Sequence, residues 1–573
     1  MKLRRRVLEW LGHERAKLPH FSLDETQRFL LLSILIGVFA GLLVVCFHMA
    51  IDFLGWYSIG AITARFRYGR LAAPALGALA SAWLVTRVFR AAQGSGVNQT
   101  KAALYISDGY LPGSSILGKF LACSISIGSG NSLGPEDPSL QMGAGVASLL
   151  GRIFDLKRES MRLIAPVGAA AGIAAAFNTP IAGVLFVMEE VVAGWSAGVV
   201  GSILLAAVSA VVVTRWFLGS EPLFRVPAFS LTHPSELAVY ALVGVAGGLL
   251  SALFMKLVGS LRERLEKLPP WSRYLQPVAA GLIVGAVGLW LPQVMGAGYG
   301  AIDNALHDQF LWHALLILGA AKMLVTLFCF SAGIPGGMFA PTLFTGAMIG
   351  GGLGGLAHHY WPFPTSPASA YVLVGMGTFF AGVFRAPMTS IFMVFEVSAS
   401  YVIILPVIVA NTVAYFVSRQ LHPLPFFTML ARQEGFDLPS AEERRAVTVL
   451  RIENAMHVGP APVLQPEMTV SEALVFLEAG ALSECLAWDE SGWAHVTREA
   501  LARAAAAGHG NLPLTQAQVL EPTPQLYPDQ PVDAALRFLG AHPLLPIASR
   551  AHPDRLVGTL SLEDVRRAYG IRL

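Results

Sequence analysis

Gly134-Pro135-Glu136-Asp137-Pro138 is the stretch on which the reading of the chain turns. It sits inside residues 128–151, a run of small and apolar residues with almost no other charge. A carboxylate in such a run lies within a membrane, where ionised side chains are costly and therefore functional by default. The surrounding glycines and prolines interrupt regular helix and leave backbone N–H groups without helical partners. Free N–H groups at the start of a helix form an anion site. The stretch thus combines an anion-binding backbone with a side chain that can compete for that site or carry a proton.

The whole chain suits that reading. Of its 573 residues 54% are hydrophobic and only 13% charged, which marks a polytopic membrane protein. The charges crowd residues 1–27 and the part after Arg432, with long apolar runs between 29 and 417. A net charge of +3 is too small to suggest nucleic acid, and no aromatic–basic patch suggests it, so no nucleic-acid partner is expected. Cys46, Cys123, Cys329 and Cys485 have no metal-ligand spacing and read as packing residues. The polar part shows no nucleophile–base pair, metal cluster or phosphate loop, so neither an enzyme nor a metal is expected. At the N-terminus, residues 1–28 carry Lys2, Arg4, Arg5 and Arg6 without the apolar region of a signal peptide. They read as a basic amphipathic segment on the cytoplasmic leaflet.

The first span is expected at 29–51. Further apolar segments follow near 71–90, 115–128, 139–154, 161–176, 180–217, 236–258, 276–292, 311–330, 341–357, 369–383, 387–398 and 401–418. Several are shorter than a full span and are broken by Gly or Pro, which predicts helices that stop part-way through the bilayer. An internal repeat points the same way. At an offset of 203, Gly130, Gly134, Pro138, Leu140, Gly143 and Gly151 fall on Gly333, Gly337, Pro341, Leu343, Gly346 and Gly354, and Lys119 falls on Lys322. At an offset of 207, Gly168, Phe177, Pro180 and Glu189 fall on Gly375, Phe384, Pro387 and Glu396, and Gly37 and Gly41 on Gly244 and Gly248. The membrane part, 29–435, therefore holds two related halves, about 29–220 and 236–425. The basic N-terminus and the basic loop at 262–273 favour a cytoplasmic start if the halves are inverted, whereas Arg65, Arg67 and Arg70 run against that rule.

Residues 436–451 read as a linker to a soluble tail at 452–573. The tail holds two similar units, each a Pro-rich extended piece (459–465; 519–527), an amphipathic helix (470–478; 532–539), short strands and a closing helix. The second closes with Val557-Gly558-Thr559-Leu560-Ser561-Leu562-Glu563-Asp564-Val565, which resembles the end of a CBS motif. A tandem CBS pair implies an adenine nucleotide held by Ser561 and Asp564, or a structural, dimer-forming tail. The first unit has Thr497 but Ala500 where the Asp would be.

In the membrane part, Gly94-Ser95-Gly96-Val97-Asn98 resembles GSGIP, 134–138 resembles GREGP, and Gly337-Met338-Phe339-Ala340-Pro341 resembles GIFAP. With Phe177-Asn178-Thr179-Pro180 leading to Glu189-Glu190, these stretches resemble the CLC chloride channels and chloride/proton antiporters. The resemblance implies an all-α membrane fold with inverted-topology repeats and broken helices, a cytoplasmic α/β tail, and a homodimer in a lipid bilayer with both termini cytoplasmic. The absence of a targeting sequence suits a bacterial inner membrane.

Ser95, between two glycines in a break after an apolar helix, can donate one hydrogen bond to a dehydrated anion; the plainer reading of Ser there is a helix cap. The resemblance makes it a chloride ligand. Asn98 stands where the family has Pro and is expected to loosen the loop. Met338 and Phe339 are implied as backbone chloride ligands at a helix beginning near Ala340, where the dipole favours negative charge. Glu136 aligns with the family's gating glutamate. Beside it Pro135 replaces Arg and Asp137 replaces Gly; a second carboxylate raises the energy of the doubly ionised state. Glu190 aligns with the inner proton glutamate of antiporters, and adjacent Glu189, about 100° away on a helix, is expected to make structural contacts. Anchoring on Leu430-Ala431-Arg432 puts Phe426 where the family has its central tyrosine, which keeps the ring but removes a hydroxyl donor worth ~1 kcal/mol. Lys119 and Lys322 are expected to pair with carboxylates or helix C-termini.

Chloride/proton exchange is the leading expectation, with no cofactor in the membrane part. The alternative is a passive voltage- or pH-gated chloride channel without proton coupling. A nucleotide sensor anchored by the membrane part is a third reading, and the intramembrane carboxylates disfavour it.

Overall fold

A computed structural model describes residues 25–435 and 451–568, apart from 62–67, 193–196, 228–231, 459–462, 481, 490–491 and 551. Most of segment 1–28, Arg65, Arg67 and all of the 436–451 linker except Arg451 therefore lie outside the described residues. The chain divides into two compact units, Met1–Ala441 and Glu442–Leu573.

The first unit is built of helices and helical turns. Its first half runs through α1 (Glu25–Gly55), α2 (Gly69–Trp83), α3 (Gly96–Tyr105), α4 (Gly113–Gly128), α5 (Glu136–Ile153), α6 (Arg158–Phe177), α7 (Pro180–Phe186) and α8 (Ala197–Leu218). The second runs through α9 (Glu236–Glu266), α10 (Leu275–Trp290), α11 (Tyr299–Leu306), α12 (Trp312–Ser331), α13 (Phe339–Tyr360), α14 (Ala368–Phe384), α15 (Pro387–Ser398) and α16 (Ile404–Leu421), and α17 (Phe426–Gln433) follows. Among the described residues, eight helical stretches are long and apolar enough to cross a membrane. The others are short, as the broken apolar segments predict. The apolar run at 180–217 is one such case: it divides into α7, a π-helical turn over Val187–Val192, and α8.

Helix starts repeat with the offsets of the sequence. Gly96 and Tyr299 open α3 and α11, and Glu136 and Phe339 open α5 and α13, each pair 203 residues apart. The halves meet through equivalent residues: Gly134 N–H donates to the Gly337 carbonyl at 2.8 Å, and Gly337 N–H returns the bond to Gly134 at 2.7 Å. A reciprocal antiparallel exchange between equivalent positions is what a two-fold axis between inverted halves produces.

Glu189 and Glu396 repeat the pattern. Glu189 accepts from the amides of Met388 and Thr389 at 3.2 and 2.8 Å and from the Thr389 hydroxyl at 2.6 Å. Glu396 accepts from the amides of Ile181 and Ala182 at 3.0 and 2.7 Å. Each carboxylate caps the N-terminus of the other half's helix, α15 or α7, where amides are unpaired and the dipole favours negative charge. Close packing is equally symmetric. A methyl on Gly143 would lie 2.2 Å from the Gly168 carbonyl oxygen, and one on Gly346 would lie 2.2 Å from that of Gly375. Small residues there let α5 approach α6 and α13 approach α14 backbone to backbone.

Three cysteines are buried, but Cys46 is exposed. It lies on the face of α1 that carries exposed Phe39 and Phe53, an apolar face turned away from the core.

The second unit is α/β. It contains α18 (Ile452–Ala455), β1 (Val463–Leu464), α19 (Val470–Ala479), β2 (Glu484–Asp489), β3 (Gly492–Thr497), α20 (Arg498–Ala504), β4 (Glu521–Pro522), α21 (Val532–Leu539), β5 (Leu544–Ala548), β6 (Leu556–Ser561) and α22 (Leu562–Ala568). Strands β1 to β4 form one sheet in that order, with β1 parallel to β2, and β5 pairs with β6 antiparallel. Two apolar cores result. One packs Val470, Leu477, Val496 and Leu501, the other Val532, Leu545, Leu560 and Val565.

Candidate functional site

Three helix starts meet at the centre of the first unit. The Gly134–Gly337 exchange joins the starts of α5 and α13, and Asp137 joins them to the start of α3. Glu136 is fully buried. The Tyr299 phenol, which opens α11, donates to its Oε1 in a short hydrogen bond, and Ala340 N–H of α13 donates to Oε2 at 3.3 Å. A methyl on Gly134 would sit 2.3 Å from Oε2, so only glycine lets the carboxylate fold back onto this break. Helix α13 begins at Phe339, a residue before the expected start, so the amide that reaches Glu136 is that of Ala340.

Asp137 points to the other side. Its carboxylate accepts from Gly96 N–H at 3.1 Å, Val97 N–H at 2.9 Å and the Ser95 hydroxyl at 3.4 Å. Ser95 is the N-cap residue of α3, in extended backbone, but its hydroxyl makes no capping bond and turns to Asp137 instead. Met338 and Phe339 are buried beside this junction. Phe426 is buried at the first position of α17, with its ring 5.5–5.8 Å from those of Phe330, Phe384 and Phe427. Asn98 does not loosen its loop. Its amide donates to the Phe427 carbonyl at 3.1 Å and ties α3 to α17.

Glu190 lies on the π-helical turn, a local geometry frequent at functional sites. It is ion-paired with Lys101 of α3 in a short contact, and both side chains are buried. The Lys101 ammonium also stands 6.0 Å from the Phe427 ring centre. Sequence reading passed over Lys101 and Tyr299. The signal for Lys101 was a cation in the apolar stretch just after Gly94–Asn98, and Tyr299 falls on Gly96 at the repeat offset. Lys119 donates to the Gly94 carbonyl at 2.6 Å, and Lys322 to those of Val294 and Gly296 at 2.9 and 2.6 Å. Both therefore bind main-chain oxygens at the ends of short helical turns, the helix-terminus alternative of the two that were expected.

Two vestibules are lined by hydrogen-bond partners of these carboxylates. A cavity of about 430 Å³ is lined by Gly94, Ser95, Lys119, Arg262, Phe330 and Glu434. Another of about 340 Å³ is lined by His48, Asp52, Pro135, Phe177 and Tyr299. The first touches Ser95, the partner of Asp137; the second touches Tyr299, the partner of Glu136.

Residues 77–419 match the family described as voltage gated chloride channel. The chain belongs to the CLC family. With its apolar spans, this CLC protein is an integral membrane protein. It is 32% identical over 394 residues to a ClcB-like protein of Ralstonia nicotianae named for a chloride channel, covering 66% of this chain and 91% of that one. It is 30% identical over 415 residues to the H(+)/Cl(-) exchange transporter ClcA of Vibrio campbellii, covering 70% of this chain and 88% of that one. The crystal structure of a slow cyanobacterial Cl-/H+ antiporter superposes with a TM-score of 0.66 at 27% identity, covering 72% of this chain and 99% of that one.

In the tail, Ser561 and Asp564 are each other's partners. The Ser561 amide and hydroxyl donate to Asp564 Oδ2 at 3.0 and 2.6 Å, and Asp564 N–H donates back to the hydroxyl at 3.2 Å. This is a capping box at the start of α22. Thr497 caps α20 alone, through the amide of Ala500.

Proposed function

We propose that this CLC protein exchanges chloride for protons across the membrane as a homodimer, with one pathway per subunit. The observation that carries the reading is Glu136, a buried carboxylate held by an amide and a phenol of the opposite half, the phenol being that of Tyr299, which lines a vestibule. Ionised, it occupies an anion position; protonated, it leaves that position to chloride. Proton and chloride are thereby coupled without a cofactor. Chloride passes Phe426, Ser95, the Met338 and Phe339 amides and the Glu136 position. Protons arrive through Glu190; in support, its ion-pair partner Lys101 stands 6.0 Å from the ring centre of Phe427, the neighbour of Phe426. A bacterial inner membrane with both termini cytoplasmic suits the basic N-terminus.

The tail is proposed as a CBS-type pair. Ser561 and Asp564 are the residues that would hold the ribose of an adenine nucleotide, although their mutual bonds also suit an assembly module. Nucleotide that alters the flux assigns regulation to the tail; flux unchanged by nucleotide leaves assembly.

A passive chloride channel is the second reading. Phe426 favours it, since a ring without a hydroxyl holds the central anion less firmly. Proteoliposomes containing the full chain and a chloride gradient separate the two. Exchange predicts proton movement that tracks chloride and can be driven uphill by it. Chloride flux without proton movement would replace exchange with the channel, and no chloride flux would overturn both.

A further inference from the structure

The anion position beside Ser95 is filled by the chain itself. Two successive amides at the start of the ten-residue helix α3, joined by a hydroxyl, form an anion receptor. Their occupant here is the Asp137 carboxylate, through the three bonds described above. Ser95 also lines the 430 Å³ vestibule. An anion arriving from that side meets a hydroxyl and two amides already engaged.

A second observation indicates that this arrangement is one of two. Gln141 lies one turn beyond Asp137 on the same face of α5, with its Cβ 3.0 Å from where a methyl on Gly96 would be. It is buried, and both its amide nitrogen and its amide oxygen are without a hydrogen-bond partner. Asn98 Oδ1, on the neighbouring turn of α3, is buried without a partner as well. A buried polar group left unsatisfied in this way carries its full desolvation cost. Gln141 offers both a donor and an acceptor, which is what a neutral carboxylic acid requires.

We propose that Asp137 is a second, inner gate: ionised, it blocks the Ser95 position, and when protonated it turns from the α3 amides toward Gln141 and admits an anion. The inference rests on the exchange reading. A proton from the vestibule joins the carboxylate, the neutral acid leaves the amides, and chloride takes them; release of chloride reverses each step. Adjacent residues at a helix start diverge by about 100°. Glu136 accordingly closes the approach past Tyr299, and Asp137 closes the approach past Ser95. Among the described residues, the titratable and charged groups facing Asp137 are Lys119 and Cys123 of α4 and its neighbour Glu136; α3 presents only amides and the Ser95 hydroxyl. Lys119 balances the ionised acid and is itself anchored on the Gly94 carbonyl.

Chloride is titrated calorimetrically into the purified full chain at pH 5 and pH 8, in a Glu136→Gln background that silences the first carboxylate. The expected result is chloride binding at least tenfold tighter at pH 5, with about one proton taken up per chloride. Adding Asp137→Asn gives tight binding at both pH values and no proton uptake, and Asp137→Gly does the same if the amide is poorly tolerated. Ser95→Ala then weakens binding in either background. A purely structural cap would instead lower thermal stability and leave the proton count unchanged. Equal affinity and equal proton uptake with and without Asp137, in protein whose wild type exchanges ions in liposomes, would overturn the inner gate alone. Absence of chloride binding in every form, together with no flux from the wild type, would overturn the exchange reading and this inference with it.

Discussion

The two halves of the membrane unit share a backbone and differ in which charges they carry. Lys119 and Lys322 are equivalent, and both hold main-chain carbonyls; Glu189 and Glu396 are equivalent, and each caps the other half's helix. Glu136 and Asp137 instead face Phe339 and Ala340 at the repeat offset, Lys101 faces Asn304, and Glu190 faces Val397. The symmetric charges maintain the scaffold. These four asymmetric charges, all in the first half, line the proposed paths of protons and anions. At Glu136 the first half supplies the acid and the second an amide, that of Ala340.

The largest effect belongs to an asymmetric acid. Glu190→Ala should reduce proton flux to background while chloride flux continues, measured together in proteoliposomes; undiminished proton flux would remove Glu190 from the proton route. Next comes its partner. Lys101→Met removes the ion-pair partner of a buried carboxylate and should lower stability in detergent by about 3 kcal/mol, and Lys101→Met with Glu190→Gln should recover most of that. Thermal unfolding of the single and double variants checks it.

Symmetric charges should behave differently. Glu189→Gln and Glu396→Gln each weaken one helix cap, at about 1–2 kcal/mol, with the chloride-to-proton ratio unchanged. A changed ratio in either variant would break the division into scaffold and function.

The tail repeats the comparison on a smaller scale, since Asp564 has no counterpart at Ala500. Asp564→Ala should cost the second unit about 1 kcal/mol, read by hydrogen exchange across α22. Thr469 offers its amide and hydroxyl to Glu472, which holds that carboxyl below the ordinary glutamate range. Because the folded value is the lower one, this box stabilises α19 at neutral pH and loses its contribution as pH falls through the folded value. The protection of the α19 amides, corrected for the pH dependence of intrinsic exchange, should therefore fall below about pH 4, near the unperturbed glutamate value. Protection that does not change with pH would contradict it.

Much of this was legible in the sequence because the repeat is written in glycine and proline. The offsets of 203 and 207 pair Gly134 with Gly337 and Glu189 with Glu396, and those residues do bond across the halves. The short helices were harder to see. Helices α3 and α11 are only 10 and 8 residues long and mix Asn, Gln, Lys and Asp with apolar residues, so hydropathy does not mark them. Lys101 and Tyr299 were missed for that reason. Asp137 was visible as a departure, but its partners lie some forty residues away in sequence, beyond any local pattern. Asn98 misled because a missing proline suggests freedom, while its amide finds a carbonyl 329 residues away.

The division between the halves is tested most directly by measuring proton and chloride flux together for Glu136→Gln and Glu396→Gln in proteoliposomes under an imposed chloride gradient. Both remove one carboxylate bonded to a backbone amide of the opposite half, but only the first acid has no counterpart in the other half. The account predicts that Glu136→Gln loses proton movement while still passing chloride, and that Glu396→Gln keeps the wild-type ratio. Protons still driven uphill by Glu136→Gln, or coupling lost in folded Glu396→Gln, would contradict it.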